Sequence, residues 1–301
     1  MVSVENLVLK YGARTALDGV SFEVREREIF GVLGPNGGGK STLFKVLSTM
    51  LAPASGWARV AGFDVARQAA EVRRRIGVVF QSQSLDRKLT VEENLRAQGH
   101  LYGLRGRALA ERMEEVLSRL GLTDRRKELV ESLSGGLRRR VEIAKGLLHR
   151  PAVLLMDEPS TGLDPGARRE LWRYIEELRQ TQGITVLLTT HLLDEADRCD
   201  RLALLHEGRL VAAGTPAELK ARIGGDVVVF EVADAEEMRP RLEARMGVRA
   251  AARNGSLRVE IGNGHRFIAE VVEAFPGAIQ SVALHKPTLE DVFLDETGAA
   301  L

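Results

Sequence analysis

The sequence has little of several features that would each assign it to a class of protein. Its 301 residues include one cysteine, Cys199, which excludes an intramolecular disulfide and favours a reducing cytosol. We expect Cys199 to be a small packed residue. Lysine and arginine total 43 against 42 aspartate and glutamate, which gives a formal net charge of +1. A nearly neutral chain offers no electrostatic argument for binding nucleic acid or an anionic membrane surface.

Long hydrophobic runs are also missing. Apolar runs such as "AVLLM" at 152–156 and "VVVF" at 227–230 are far shorter than the roughly 20 residues that span a bilayer. The first residues, "MVSVENLVLKYG", have no apolar core of the signal-peptide type. We therefore expect neither a signal peptide nor a transmembrane segment, so a separate subunit would have to anchor this protein at a membrane.

The first two thirds of the chain alternate between apolar strands and helices. A helix is predicted after the glycine-rich stretch that begins at Gly34, with Leu43, Val46, Leu47 and Met50 on one face. Continuous apolar runs, typical of strands buried on both faces of a sheet, lie at 28–34, 75–81, 152–158 and 184–191. Between 81 and 151 the composition becomes mostly helical. This order predicts a parallel α/β core in a first domain, 1–220, with a helical subdomain at about 82–150.

The remaining residues, 221–301, form a second predicted domain after a stretch with glycine- and proline-containing turns at 212–226. Its pattern is strand, helix, strand, hairpin turn "RNGS", strand, helix and strand, with the regular elements at 226–232, 234–246, 247–252, 256–261, 265–275 and 278–284. This βαββαβ order predicts a small ferredoxin-like α+β domain. Residues 226–301 carry 8 basic and 13 acidic side chains, which argues against nucleic-acid binding.

The stretch "GPNGGGKST" at 34–42 fits the phosphate-loop pattern G-x-x-x-x-G-K-[ST] in full. Glycines allow consecutive backbone N–H groups to turn toward phosphate oxygens, and the following helix presents its positive end. Lys40 would meet the β- and γ-phosphates, and the Ser41 hydroxyl would bind Mg²⁺. The nucleotide-binding residues predicted here are Gly34, Pro35, Asn36, Gly37, Gly38, Gly39, Lys40, Ser41 and Thr42.

Two acids end the apolar strand "AVLLMDE". Because they are consecutive, their side chains diverge, and we expect Asp157 to face Mg²⁺ and Glu158 to face the attacking water. A plain strand-ending turn is the alternative.

Three further residues are candidates because of where they stand. Gln81 and His191 each end a predicted strand, where parallel sheets place their ligand crevice. Gln81 could sense Mg²⁺ or the water, although Gln83 is an alternative, and His191 alone could be an ordinary turn residue. Tyr11 could stack on adenine or simply pack in a hairpin.

A second potential anion cradle lies in "ESLSGGLRRRVEIAKGLL" at 131–148. The segment after Gly136 is an amphipathic helix, and Ser134 stands where a helix cap would. Arginines 138–140 crowd the first turns, where the helix dipole disfavours cations. An anion near that end would relieve the conflict; arginines solvated on an outer face are the alternative.

The ordered set "YG", "GPNGGGKST", "VVFQ", "LSGG", "LLMDEP", "TGLDP" and "TTH" over residues 2–220 resembles the ATP-binding cassette (ABC) ATPases. The resemblance implies a P-loop NTPase (RecA-like) core with an antiparallel β subdomain, and ATP and Mg²⁺ as cofactors. It implies Tyr11 as the adenine stack, Asp157 and Gln81 at the metal, Glu158 with His191 and Gln81 in catalysis, and Asp164 as the D-loop residue. Ser134, Gly135 and Gly136 would be the signature that meets the nucleotide of a second subunit paired head to tail.

One position departs from the family pattern, since Leu137 stands where glutamine usually follows "LSGG". The motifs "KPTLEDVFL" at 286–294 and "LDRKLTVEENL" at 85–95 resemble those of drug- and antibiotic-export ATPases similar to the daunorubicin-resistance type. The resemblance implies an ATPase subunit on the cytoplasmic face of the membrane, which forms a homodimer and energises a separately encoded permease. An importer ATPase and a soluble non-transport ABC ATPase are the alternatives.

Overall fold

The structure is a computed structural model that describes residues 1–253 and 255–298. It divides into two compact units, Met1–Ala213 and Gly214–Leu301. The strands up to this division are β1 (Val2–Tyr11), β2 (Arg14–Val24), β3 (Ile29–Leu33), β4 (Ser55–Val60), β5 (Phe63–Asp64), β6 (Ile76–Val79), β7 (Val153–Asp157), β8 (Thr185–Thr190), β9 (Arg201–His206) and β10 (Arg209–Gly214). The helices are α1 (Lys40–Leu47), α2 (Ala69–Arg73), α3 (Val91–Leu101), α4 (Gly106–Arg119), α5 (Gly135–Leu147), α6 (Pro165–Gln182) and α7 (Leu193–Ala196).

The first unit is built on a six-stranded sheet in the order β10-β9-β3-β8-β7-β6. Strands β3, β7 and β8 are buried along their whole length, as the apolar runs predict. Strands β6, β7, β8, β3 and β9 are parallel to their neighbours in this series. The carboxyl ends of β3, β6, β7 and β8 therefore lie at one edge, and a predicted site residue lies at the end of each strand or within two residues of it.

A second sheet, in the order β2-β1-β4-β5, is antiparallel throughout. It packs on the central sheet through a shared apolar core that includes α1, and the rings of Phe22 and Phe30 stack with centroids 5.3 Å apart. The antiparallel β subdomain expected from the resemblance is thus confirmed. The predicted helix after the phosphate loop is shorter than expected, because Thr49 adopts a left-handed φ of 64° and Met50 lies beyond the helix, exposed.

Between β6 and β7 the chain is mostly helical, as predicted. Helix α3 begins with a capping box, in which the Thr90 side chain accepts from the backbone N–H of Glu93 and the Glu93 carboxylate accepts from that of Thr90. Leu95, Met113 and Val141 of α3, α4 and α5 belong to one core that continues under the central sheet. This core holds the amino end of α5 at a fixed place.

The second unit contains α8 (Pro216–Lys220), β11 (Asp226–Val232), α9 (Ala235–Met246), β12 (Ala250–Arg253), β13 (Ser256–Ile261), α10 (Gly264–Ala274), β14 (Ile279–His285) and α11 (Leu289–Thr297). Its sheet order, β12-β13-β11-β14, is antiparallel throughout and is the order of a ferredoxin-like βαββαβ fold. The strand predicted at 247–252 begins only at Ala250, because Gly247 ends α9 with a left-handed φ of 68°. Asn254 of the predicted turn lies outside the described residues.

Candidate active site

The phosphate loop joins β3 to α1, and two of its glycines are required by geometry. Gly39 has a left-handed φ of 105°, and a Cβ there would lie 2.8 Å from the carbonyl oxygen of Ala16. A Cβ on Gly34 would lie 2.1 Å from the carbonyl oxygen of Leu205 on β9. The loop can therefore follow its path beside the sheet only with glycine at these positions, and α1 starts directly after it at Lys40.

Lys40 turns back over the loop rather than toward solvent. Its Nζ donates to the carbonyl oxygens of Gly34 at 2.8 Å and Pro35 at 3.0 Å. The same Nζ lies 3.3 Å from Glu158 Oε1, and both side chains are nearly fully buried. The loop lysine and the second acid of β7 thus form an ion pair.

Asp157 and Glu158 diverge, as their consecutive positions predict. Glu158 has a left-handed φ of 44°, a strained conformation for a residue with a side chain. Its backbone N–H donates to Thr189 Oγ1 at 3.0 Å, and Thr189 Oγ1 donates to Asp157 Oδ1 at 2.5 Å. One threonine hydroxyl on the neighbouring strand β8 therefore fixes both the bend of the chain and the first carboxylate.

Asp157 has the surroundings of a metal-binding carboxylate. Burial raises its pKa, while hydrogen bonds from Thr189 and Ser41 oppose that rise. Ser41 Oγ lies 3.4 Å from Asp157 Oδ1. Magnesium prefers oxygen ligands and commonly takes one or two carboxylates together with phosphates and waters. Among the described residues there is no group of three or more His, Cys, Asp or Glu side chains that could hold a metal. The oxygens of Asp157 and Ser41 fit Mg²⁺ whose other ligands come from phosphate and water.

Glu158 is surrounded by polar groups from separate segments. Gln81 Nε2 donates to Glu158 Oε2 at 3.2 Å, and Thr161 Oγ1 donates to the same oxygen at 3.3 Å. His191 Nδ1 lies 3.2 Å from Glu158 Oε2. The predicted residues that follow β6, β7 and β8 therefore meet around one carboxylate.

Lys40, Gln81 and Glu158 line a cavity of about 370 Å³, within the range of small-molecule sites. His191 and Thr161 contact Glu158 without lining the cavity themselves. Tyr11, at the end of β1 where the hairpin turns, is part of its wall and is about half exposed. The residues that line the cavity are Tyr11, Arg14, Ala16, Asn36, Gly37, Gly39, Lys40, Ser41, Thr42, Gln81 and Glu158. Pro35 and Gly38 line an adjoining hollow with Asn36 and Gly37. Of the predicted phosphate-loop residues, most thus border one of two adjoining depressions.

The signature residues occupy a different place. Ser134 caps α5 by accepting from the backbone N–H of Leu137 at 3.3 Å, and Gly135 and Gly136 form the first turn. Asp164 caps α6 by accepting from the N–H groups of Gly166 and Ala167, which holds its pKa below its ordinary value. In the part of the chain that the structure describes, none of these four residues lines the cavity at the phosphate loop.

Neither expectation for arginines 138–140 describes all of them. Arg139 is 4% exposed and donates to the carbonyl oxygens of Phe80 and Gln81 at 2.7 and 3.3 Å. Arg140 forms an ion pair with Glu170 on α6 and lies over the ring of Tyr174. The Arg139 guanidinium is therefore neither available to bind an anion nor solvated on an outer face. It donates instead to backbone carbonyls of the segment after β6.

Sequence reasoning missed several side chains at this site. Arg14 and Ala16 line the cavity from the β1–β2 hairpin, close to Tyr11 in sequence, and they belong to no recognisable sequence motif. Thr189 stands two residues before His191 in "TTH", and only the strand register, which places it opposite Asp157, identifies its role. Cys199 is buried, as expected, and burial raises the pKa of its thiol, which makes it unreactive.

The described residues include no helix long and apolar enough to cross a lipid bilayer. Two family models match the chain. The model of the ABC transporter family matches residues 17–161, and that of the C-terminal domain of DrrA1-3-like ATP-binding proteins matches residues 214–297.

Curated relatives match along nearly the whole chain. The daunorubicin resistance ATP-binding protein DrrA3 of Streptomyces coeruleorubidus is 40% identical over 99% of this chain and 96% of its own. The linearmycin resistance ATP-binding protein LnrL of Bacillus subtilis (strain 168) is 35% identical over 100% and 99%.

Solved structures agree. The cbiO1 protein of Clostridium perfringens, part of the ABC transporter complex cbiONQ, has a TM-score of 0.68 and 29% identity over 82% of this chain and 95% of its own. A dimeric ATP-binding cassette bound to ADP and Pi has a TM-score of 0.64 and 27% identity over 71% and 98%. The chain therefore belongs to the ATP-binding proteins of ABC transporters, and it is an ATPase of that family.

Proposed function

We propose that this protein hydrolyses ATP at the cavity beside the phosphate loop, as one half of a head-to-tail pair that energises a separate membrane exporter. The observation that carries the proposal is the convergence of Lys40, Gln81 and His191 on the carboxylate of Glu158, which lines this cavity. ATP hydrolysis needs backbone groups that bind the phosphates, a positive charge that offsets theirs and a base for the water. The phosphate loop, Lys40 and Glu158 supply these three at one cavity.

The roles follow from position. The loop N–H groups and Lys40 bind the β- and γ-phosphates, and Tyr11 stacks on the adenine. Ser41 and Asp157 would hold Mg²⁺, with Gln81 as a further contact, and the ion would supply positive charge that neutralises the phosphates. Glu158 accepts the proton of the attacking water, which is worth about 10²–10⁴ in rate for a positioned base. His191 contacts the γ-phosphate from the end of β8.

In the free chain Glu158 is engaged by Lys40 at 3.3 Å and by Gln81 at 3.2 Å. Phosphate is a stronger partner for Lys40 because it carries more negative charge. Nucleotide binding therefore draws Lys40 from the carboxylate and frees Glu158 to act as a base.

A second copy completes the site. Ser134, Gly135, Gly136 and Asp164 of one chain lie at helix starts away from their own cavity, so we propose that they meet the nucleotide bound by the other chain. The dimeric cassette bound to ADP and Pi supports this arrangement.

The transport partner and direction are inferred from the relatives. DrrA3 and LnrL are named as resistance proteins for daunorubicin and linearmycin, and residues 214–297 match the C-terminal domain of DrrA1-3-like ATP-binding proteins. We propose a membrane permease of the export type, peripheral attachment to it, and an accessory role for the second unit. The domain boundary predicted at residue 220 remains a proposal, beside the structural division at Ala213.

Steady-state ATPase measurements test the site. Lys40→Ala should abolish turnover at saturating Mg-ATP, while Lys45→Ala, which removes an exposed lysine of the same helix, should leave it within about twofold. Equal turnover in wild type and Lys40→Ala would refute the assignment of the phosphate loop.

The pairing is tested with two variants that are each inactive alone, Lys40→Ala and Ser134→Arg. In a purified mixed dimer with two different tags, a head-to-tail arrangement regenerates one intact site. Occluded ATP should then exceed that in both parent homodimers. If mixed dimers of correctly folded chains occlude no more ATP than the parents, Ser134 does not serve the nucleotide of the partner.

Coupling is tested by producing this protein together with a candidate export permease. Inverted membrane vesicles that contain both proteins should take up a transported drug only with ATP, and the Glu158→Gln variant should abolish uptake. ATP-dependent depletion of the same drug from the vesicle lumen would favour an importer instead.

A further inference from the structure

Helix α5 carries three charged side chains at positions i, i+3 and i+6, and all three bind the segment 80–84 that follows β6. Arg139 holds the start of the segment, while Glu142 and Lys145 hold its end at Ser84. This spacing places the three side chains along one face of the helix. The helix that begins with the signature is therefore bound by side chains to the segment that contains Gln81.

Arg139 determines how the first two peptides of the segment are oriented. Its Nη1 donates to the Phe80 carbonyl at 2.7 Å and its Nη2 to the Gln81 carbonyl at 3.3 Å. Burial lowers its pKa, while the charges of Glu142 and Asp157 favour the ionised guanidinium. A planar guanidinium with donors in a fixed fork binds two acceptors in one relative orientation, which a lysine ammonium cannot do.

Glu142 and Lys145 fix the other end of the segment. The Glu142 carboxylate, 1% exposed, accepts from Ser84 N at 2.6 Å and from Ser84 Oγ at 3.0 Å. Lys145 Nζ donates to the Ser84 carbonyl at 2.7 Å. Both ends of a short, solvent-exposed stretch are thus bound to one rigid helix.

Between the contacts at Phe80 and Ser84 lies Gln81, whose side chain reaches Glu158. Gln81 Nε2 donates to Glu158 Oε2 at 3.2 Å, while its backbone carbonyl is held by Arg139. Apolar packing could keep the segment near the helix, but it could not set the direction of the Gln81 peptide. The charged contacts therefore point to a requirement for orientation.

We propose that Arg139 is a positioning residue for ATP hydrolysis, which holds Gln81 at Glu158 and links it to the signature turn at the start of the same helix. Ser134 caps α5 and Arg139 follows just over one turn later, so a shift of the helix end on contact with a partner-bound phosphate moves Gln81 with it. This inference rests on the proposed function, because it assumes a shared nucleotide and a catalytic role for Glu158.

A double-mutant cycle on the full-length protein separates this role from a purely structural one. Arg139→Ala should lower kcat about tenfold or more, with ATP binding to the phosphate loop changed less than about threefold. In a Gln81→Ala background the same substitution should have little further effect on kcat, because the residue through which Arg139 acts is gone. Arg96→Ala, which removes an exposed ion pair with Glu92 on α3, is the control and should leave kcat within about twofold.

Arg139→Lys keeps the charge and loses the fork, and it serves if Arg139→Ala does not fold. The Arg139→Lys variant should unfold with the same free energy as wild type, and its kcat should fall as in Arg139→Ala. Equal losses of kcat in the wild-type and Gln81→Ala backgrounds, or full activity in Arg139→Lys, would overturn the proposal. The wild-type rate is the separate test of the proposed function: absent turnover there refutes both, whereas normal turnover with additive losses refutes only the role of Arg139.

Discussion

The ion pair of Lys40 and Glu158 should stabilise the nucleotide-free protein as well as serve its chemistry. The Lys40 side chain is 4% exposed and that of Glu158 is 6% exposed, and Lys40 Nζ lies 3.3 Å from Glu158 Oε1. Removing one member of a buried pair leaves the other charge without its partner, which typically costs 3–5 kcal/mol. Because this pair borders a cavity that water can enter, we expect the lower end, about 3 kcal/mol, for Lys40→Ala.

That loss should lower the midpoint of thermal unfolding by about 6–12 °C, given roughly 2–4 °C per kcal/mol for a unit of this size. Adding Glu158→Gln to Lys40→Ala removes the stranded charge and should restore most of the stability, with a coupling energy of about 2 kcal/mol. The double variant should remain without ATPase activity. Stability and turnover would thereby be separated at one pair of residues.

Tryptophan fluorescence during urea unfolding measures the free energy of unfolding of the first unit alone, since both tryptophans, Trp57 and Trp172, lie before Ala213. Nucleotide must be absent, because ligand binding would add its own stabilisation. The exposed Lys45→Ala variant controls for the loss of a lysine from α1. A Lys40→Ala protein within 1 kcal/mol of wild type, or a double variant no more stable than Lys40→Ala, would refute the reasoning.

Three other outcomes are expected. Glu158→Gln should bind Mg-ATP normally, lose about 10²–10⁴ in turnover, and elute as an ATP-dependent dimer in size-exclusion chromatography; an unchanged rate would exclude its role as base. Because burial raises the pKa of Asp157, its contribution to stability is present at low pH and is lost as pH rises through that pKa; Asp157→Asn removes this loss, so the unfolding free energy of the apo protein should rise more steeply with pH on the acid side than in wild type, and an identical pH profile in urea unfolding would contradict this. Gly39→Ala should weaken ATP binding at least tenfold, while Gly12→Ala, also at positive φ but with no atom near the added Cβ, should not; equal affinities in isothermal titration would contradict the packing argument.

The site could be predicted from sequence wherever a residue directly follows a buried strand. The phosphate loop, Gln81, the two acids and His191 all follow apolar runs, and parallel strands bring their carboxyl ends to one edge of the sheet. The helical subdomain and the βαββαβ order of the second unit followed from periodicity in the same way. These inferences need only local patterns and one topological rule.

Contacts set by packing between distant elements could not be predicted. Arg139 sits in a run of three arginines, and nothing in that run shows which one turns inward to the carbonyls of Phe80 and Gln81. Thr189 looks like an ordinary β-branched strand residue until the register pairs it with Asp157. Helix α1 ends early because of the left-handed Thr49, a conformation that its residue type does not indicate.

The order of strands in the central sheet has a consequence for the chain during its synthesis. Strand β3, which leads into the phosphate loop, hydrogen-bonds to β8 and β9, and these begin only at residues 185 and 201. A ribosome must therefore make more than half of the protein before this strand gains either neighbour, whereas the adjacent strands β1 and β2 can pair at once. Pairings between distant segments close slowly and leave apolar strands unpaired meanwhile. The nascent chain therefore carries β3 without either sheet neighbour for about half of its translation, and it can assemble the nucleotide site only after β8 and β9 have been made, about two thirds of the way along the chain.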